Sequence, residues 1–159
     1  MAIIKNNFTT LLFLCVTVLL SCSKSDDGPN NTTSNMFSVK IDGANFQPDF
    51  VSGFIVSSGN NILVSANKNN GEEITLIFPI TAKAGDTFSV ENLEVVTGYD
   101  SVSPEETFTG RTGSMTITSH NTNTREIAGT FSFNAESLDN AGSFLNFTEG
   151  SFKVVYEDL

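Results

Sequence analysis

The chain has 159 residues with 18 Asp and Glu against 8 Lys and Arg, a formal net charge of −10. An electrostatic field this acidic repels phosphate backbones and therefore excludes nucleic acid as an expected partner. One His and two Cys exclude a structural zinc site, because zinc is held by several His and Cys ligands together.

The N-terminal segment has the pattern of an export signal. The apolar run at 11–20 follows Lys5 and is too short to span a membrane, but it suits a secretory signal peptide. Leu19-Leu20-Ser21-Cys22 closes the run and resembles the bacterial lipobox, in which the Cys becomes the lipidated first residue of the mature protein. We therefore expect a signal peptide at 1–21 and lipid attachment at Cys22.

The segment 22–35 contains the expected acylated Cys and a polar tether. Residues 23–35 include no apolar side chain, so they have nothing to bury and are expected to be flexible. A flexible chain of this length spans about 20 Å on average. The tether would hold the rest of the protein beside the membrane.

The remaining chain follows the period of half-buried β-strands. Apolar and polar residues alternate first at Phe37–Ile41, and Asp42-Gly43 then supplies the residues of a tight hairpin turn. Glu91–Thr97 stays open between one helical turn and an edge strand. The other strands are expected at Val51–Ser57, Ile62–Asn67, Glu73–Pro79, Asp86–Val90, Arg111–Ser119, Arg125–Ala135 and Ser151–Glu157.

The aromatic residues predict the core and the fold class. Twelve Phe lie between Phe37 and Phe152, mostly at positions that the alternation turns inward, and Tyr156 continues the same pattern. Frequent turn residues and no helical stripe predict an all-β protein. We expect an antiparallel β-sandwich or a flattened, partly open barrel of about eight strands, in a single domain at 36–159.

Four segments carry a resemblance to a known family: Phe37-Ser-Val-Lys-Ile-Asp-Gly43, Gly85-Asp-Thr-Phe88, Gly129-Thr-Phe-Ser-Phe-Asn-Ala135 and Thr148-Glu-Gly-Ser-Phe152. The chain resembles a family of small Bacteroidota lipoproteins with a β-rich domain of unknown function, which implies no activity. Lys24-Ser25-Asp26-Asp27 is similar to the acidic export signal of that group, with one inserted Ser. The resemblance implies a lipid-anchored protein of the outer membrane and leaves surface exposure open.

The segment Thr97–Glu106 holds the candidate ligand contacts. We expect it to be a long loop, and long loops on a rigid β-scaffold are common recognition sites. Calcium takes oxygen ligands, but the spacing of the acids matches no EF-hand loop, which favours an ordinary acidic loop. The candidates are an apolar contact and three charges: Tyr99, Asp100, Glu105 and Glu106.

No catalytic residues are predicted. His120 is the single His, and the Asn-rich sequence after it predicts a solvated turn residue without a fixed partner. We therefore expect neither an enzyme nor a metal or cofactor, but a non-enzymatic binding or structural module of the cell envelope. Its partners would be the membrane, through the anchor, and an envelope protein or a glycan. Two alternatives remain: a small-ligand carrier with a barrel interior, and a carboxylate-based hydrolase.

Overall fold

Ten β-strands make up the fold that the computed structural model describes for residues 35–56 and 58–159. No helix within those residues is long and apolar enough to cross a membrane. The expected signal peptide, Cys22 and the tether up to residue 34 lie outside the described residues. The strands are β1 Met36–Ile41, β2 Ala44–Phe46, β3 Phe50–Val56, β4 Asn61–Asn67, β5 Glu73–Pro79, β6 Thr87–Ser89, β7 Val96–Val102, β8 Glu105–Asn121, β9 Glu126–Ser137 and β10 Phe144–Asp158.

The all-β prediction is confirmed, whereas two strands were not predicted. These are β2 and β7, and the prediction of a long loop at Thr97–Glu106 is wrong because β7 and the start of β8 form a hairpin there. The question left open at Glu91–Thr97 resolves into turns followed by the first residues of β7. β7 is polar and rich in small residues, so its strand form depends on pairing with β5 and β8 rather than on its own alternation.

The strands pair in one large sheet that returns to its starting point. The hydrogen-bonded order of the strands is β3, β4, β5, β7, β8, β9, β10 and then β3 again. All of these pairs are antiparallel except β10 with β3, which is parallel. The long strands bend at register shifts, such as the one between Phe147 and Gly150 in β10. This arrangement agrees with the expected sandwich or open barrel.

The core consists of the inward side chains of these strands. Phe133 and Phe147 stack with their ring centroids 4.3 Å apart. Tyr156 is 3% exposed, which confirms its predicted place in the core. Gly150 leaves room for the ring of Phe131, since a Cβ at this glycine would overlap three atoms of that ring. The interior is filled by side chains, mostly aromatic and branched.

Candidate functional site

A surface depression lies where three hairpins end together. The two-residue turn Ser103–Pro104 joins β7 to β8, the loop after Ser137 joins β9 to β10, and Gly71 belongs to the turn between β4 and β5. We call this depression the hairpin-tip cleft. It has a volume of about 650 Å³ and is lined by Gly71, Asp100, Ser101, Val102, Glu105, Glu106, Thr107 and Asp139.

Hydrogen bonds from Thr107 join two of these hairpins. Its hydroxyl donates to Asp100 Oδ1 at 2.8 Å, and its backbone N–H donates to Asp139 Oδ2 at 2.8 Å. The Ser101 hydroxyl donates to the carbonyl of Pro104 at 2.6 Å, which closes the hairpin turn. Hydrogen bonds from both side chains and backbone therefore stabilise the cleft.

The lining of the cleft is strongly acidic. Three of the four predicted contacts, Asp100, Glu105 and Glu106, meet there, and Asp139 adds a fourth carboxyl group. No Lys or Arg lines the cleft. Throughout the described residues, no group of three or more His, Cys, Asp and Glu is arranged to hold a metal ion. The cleft is suited to attracting a cationic ligand in water.

Tyr99, the fourth predicted contact, belongs to the core, so its prediction as a loop residue is wrong. It is 8% exposed and its ring lies 5.6 Å from that of Phe147 and 6.0 Å from that of Phe108. Burial, with a further contribution from the charge of Glu72, raises the pKa of Tyr99 to about 12. Alternation along β7 turns Tyr99 inward and Asp100 outward.

His120 is also placed differently from the prediction. It is a half-buried residue of β8 and not a turn residue. Its Nδ1 donates to the carbonyl of Ala82 at 2.7 Å, because a carbonyl can only accept. Nε2 of the neutral ring then accepts from the hydroxyl of Tyr156 at 2.9 Å. Both ring nitrogens make structural contacts, so His120 connects β8 to the carbonyl of Ala82 and to Tyr156 in β10.

Sequence reasoning missed Asp139. It follows β9 in a stretch with many turn residues, and nothing local indicates that it meets the β7–β8 hairpin. The contact is made because Phe108 pairs with Ser137, which brings the end of β9 beside the start of β8. Only the pairing register of β8 and β9 would have predicted this contact.

Comparison with known proteins identifies a family but no activity. A family model described as a domain of unknown function, DUF6252, matches residues 33–156. No curated protein matches the chain, and no solved structure does. The match confirms the expected domain of unknown function. With most of its length covered by the family model, the chain belongs to the DUF6252 family.

Proposed function

We propose that this protein is a lipid-anchored lipoprotein of the bacterial outer membrane that acts as a non-enzymatic binding module through the hairpin-tip cleft. The lipobox-like sequence ending at Cys22 and the polar residues 23–35 support the anchor. The resemblance to Bacteroidota lipoproteins and the Lys24-Ser25-Asp26-Asp27 segment support the membrane and leave open which side of it the domain faces.

The position of the cleft carries this proposal. Asn35 is the first described residue, and its side chain accepts from Val155 N at 2.9 Å, near the end of β10. Its amide also donates to the Val51 carbonyl at 3.0 Å, so Asn35 lies beside the start of β3. Strand pairing leads from Val51 through Ala66 and Ile74 to Tyr99, the neighbour of Asp100, which is three strand spacings or about 14 Å. Asn35 is not part of the cleft lining, so a tether that arrives there would leave the cleft open for a partner.

The cleft chemistry supports a basic partner, such as a Lys- and Arg-rich segment of an envelope protein. Four carboxyl groups without a basic neighbour in the lining produce a negative potential that accelerates association with cations. Val102 is 39% exposed and offers an apolar contact beside the charges. The interior of the sheet is filled by side chains, which favours recognition at the surface over carriage of a ligand inside.

A carboxylate-based hydrolase is the second candidate, because the cleft brings several carboxyl groups together. Such chemistry requires one carboxyl to stay protonated in an apolar environment while another is ionised. Asp100, Glu105 and Asp139 are all exposed to water, which favours binding over hydrolysis. Turnover of chromogenic glycosides that disappears in Glu106→Gln would favour the hydrolase instead.

Two experiments test the proposal. Cys22→Ala should release the protein from the membrane fraction or block its processing, whereas the matched control Cys15→Ala should leave it anchored. Correctly trimmed Cys22→Ala protein in the membrane fraction would show that the anchor is assigned wrongly.

The second experiment tests the cleft by a pull-down of envelope proteins in low salt. Glu105→Gln/Glu106→Gln should lose the captured basic partner, because the variant removes half of the carboxyl groups of the cleft. Glu91→Gln/Glu157→Gln removes the same charge from exposed positions outside the cleft and should retain the partner. Equal capture by both variants would refute recognition at the cleft.

A further inference from the structure

A row of hydroxyl side chains crosses five strands on the outer face of the sheet. Cα partners across β6, β8, β9, β10 and β1 join Thr87 to Thr116, Thr116 to Thr130, Thr130 to Ser151 and Ser151 to Ser38. We call these five residues the hydroxyl row. Paired residues in antiparallel strands project to the same side, so all five hydroxyls face outward.

Contacts within the row orient some of its hydroxyls. The Oγ atoms of Thr87 and Thr116 are 2.9 Å apart, and those of Ser38 and Ser151 are also 2.9 Å apart. A hydroxyl offers one donor and two acceptor positions, so a paired hydroxyl still has capacity for a ligand. With strands about 4.8 Å apart, the row extends over about 19 Å.

Two depressions meet at the middle of this row. Thr130 and Ser151 line both of them, with volumes of about 390 Å³ and 440 Å³. The first also contains Ser114 and Ser132, and the second contains Ser38. Together they form a groove floored by β9 and β10, which we call the hydroxyl groove.

The groove is electrically neutral although the protein is strongly acidic. Its linings contain two charged residues, Glu149 and Lys153. Glu149 is paired with Lys40 at 2.7 Å, and Lys153 is paired with Glu126 at 3.0 Å. The groove therefore lacks the net charge that would attract an ionic ligand.

We propose that the hydroxyl groove binds a neutral polysaccharide chain. Sugar hydroxyls donate and accept as Ser and Thr hydroxyls do, and a polymer of repeating uncharged units matches a repeating uncharged array. A protein partner usually needs aromatic, apolar or Arg anchors at the centre of its interface, whereas Thr130 and Ser151 are the residues shared by both depressions. The phenylalanines of the two linings are buried, and Met36 is the exposed apolar side chain there. This site is separate from the hairpin-tip cleft and does not depend on the function proposed for it.

Affinity electrophoresis in native gels tests this proposal. Full-length protein in a non-glycosidic detergent is run with dextran, laminarin, mannan or xylan, and with alginate and polygalacturonate as anionic probes. We expect at least one of the four neutral polysaccharides to retard the protein. Thr130→Val/Ser151→Ala should bind about tenfold more weakly, because it removes two hydrogen-bonding hydroxyls from the centre of the groove.

Two controls and one further test variant make the result decisive. Thr75→Val removes a hydroxyl from the outer face of β5 and should not change retardation. Thr130→Gln keeps a polar group but fills the groove, so it should also weaken binding. It serves as the test variant if the double variant proves unstable. Glu105→Gln/Glu106→Gln changes the hairpin-tip cleft alone and should leave retardation intact. The proposal is overturned by the absence of retardation with all four neutral polysaccharides, by retardation with the anionic probes alone, or by undiminished binding in the groove variants.

Discussion

Replacing His120 with Ala is expected to destabilise the fold. If His120 were the solvated turn residue that the sequence predicts, the same replacement would change the stability little. The change leaves the Ala82 carbonyl without its donor and the Tyr156 hydroxyl without its acceptor. Both residues are only 3% exposed. An unpartnered buried polar group costs about 1–3 kcal/mol. His120 itself is half-buried, so water can reach part of the vacated space, and we expect a total loss of about 2 kcal/mol.

Urea unfolding followed by circular dichroism at pH 8 measures this loss directly, and a thermal scan should show a decrease in Tm of roughly 6–10 °C. Tyr156→Phe and the double variant with His120→Ala complete a double-mutant cycle, in which we expect a coupling energy of about 1 kcal/mol. A loss below about 0.5 kcal/mol in His120→Ala, with no coupling to Tyr156→Phe, would refute the structural role assigned to the histidine.

Three further predictions concern stability. Because burial raises the pKa of Tyr99 from 10.0 to about 12, the folded state holds the phenol proton more tightly than the unfolded chain does. Stability should therefore be intact below pH 10 and fall by on the order of 2–3 kcal/mol between pH 10 and 12; an unchanged fall in Tyr99→Phe would contradict this cause. Gly129→Ala should cost about 1–3 kcal/mol in urea unfolding, since its Cβ would lie 2.8 Å from two atoms of a buried Phe ring. The control Gly98→Ala, with its nearest atom at 3.8 Å, should stay within about 0.5 kcal/mol, and equal losses would argue against the close packing. Thr97 Oγ1 is buried without a hydrogen-bond partner among the described residues, so Thr97→Val should raise the midpoint of thermal unfolding, and a lower midpoint would indicate a missed partner.

Much of the candidate cleft was predictable from one short segment. Asp100, Glu105 and Glu106 are polar residues near a Pro-containing turn, and such residues usually lie at the surface. The prediction of a loop misplaces Tyr99, because it conceals the alternation of inward and outward side chains along a strand. Asp139 could not be found from local sequence, since its place depends on the register between β8 and β9.

The sequence by itself determined the all-β class and the positions of strands such as β4 and β5, which lie within one residue of their predicted bounds. The alternation of apolar and polar residues along a half-buried strand indicates which side chains face the core. This alternation can be read from the local sequence. Only the tertiary structure decided that β7 is a strand, that His120 joins Ala82 to Tyr156, and that hydroxyls from five strands form one row. These features depend on which strands pair and in which register, and that choice minimises the free energy of contacts between residues far apart in the chain.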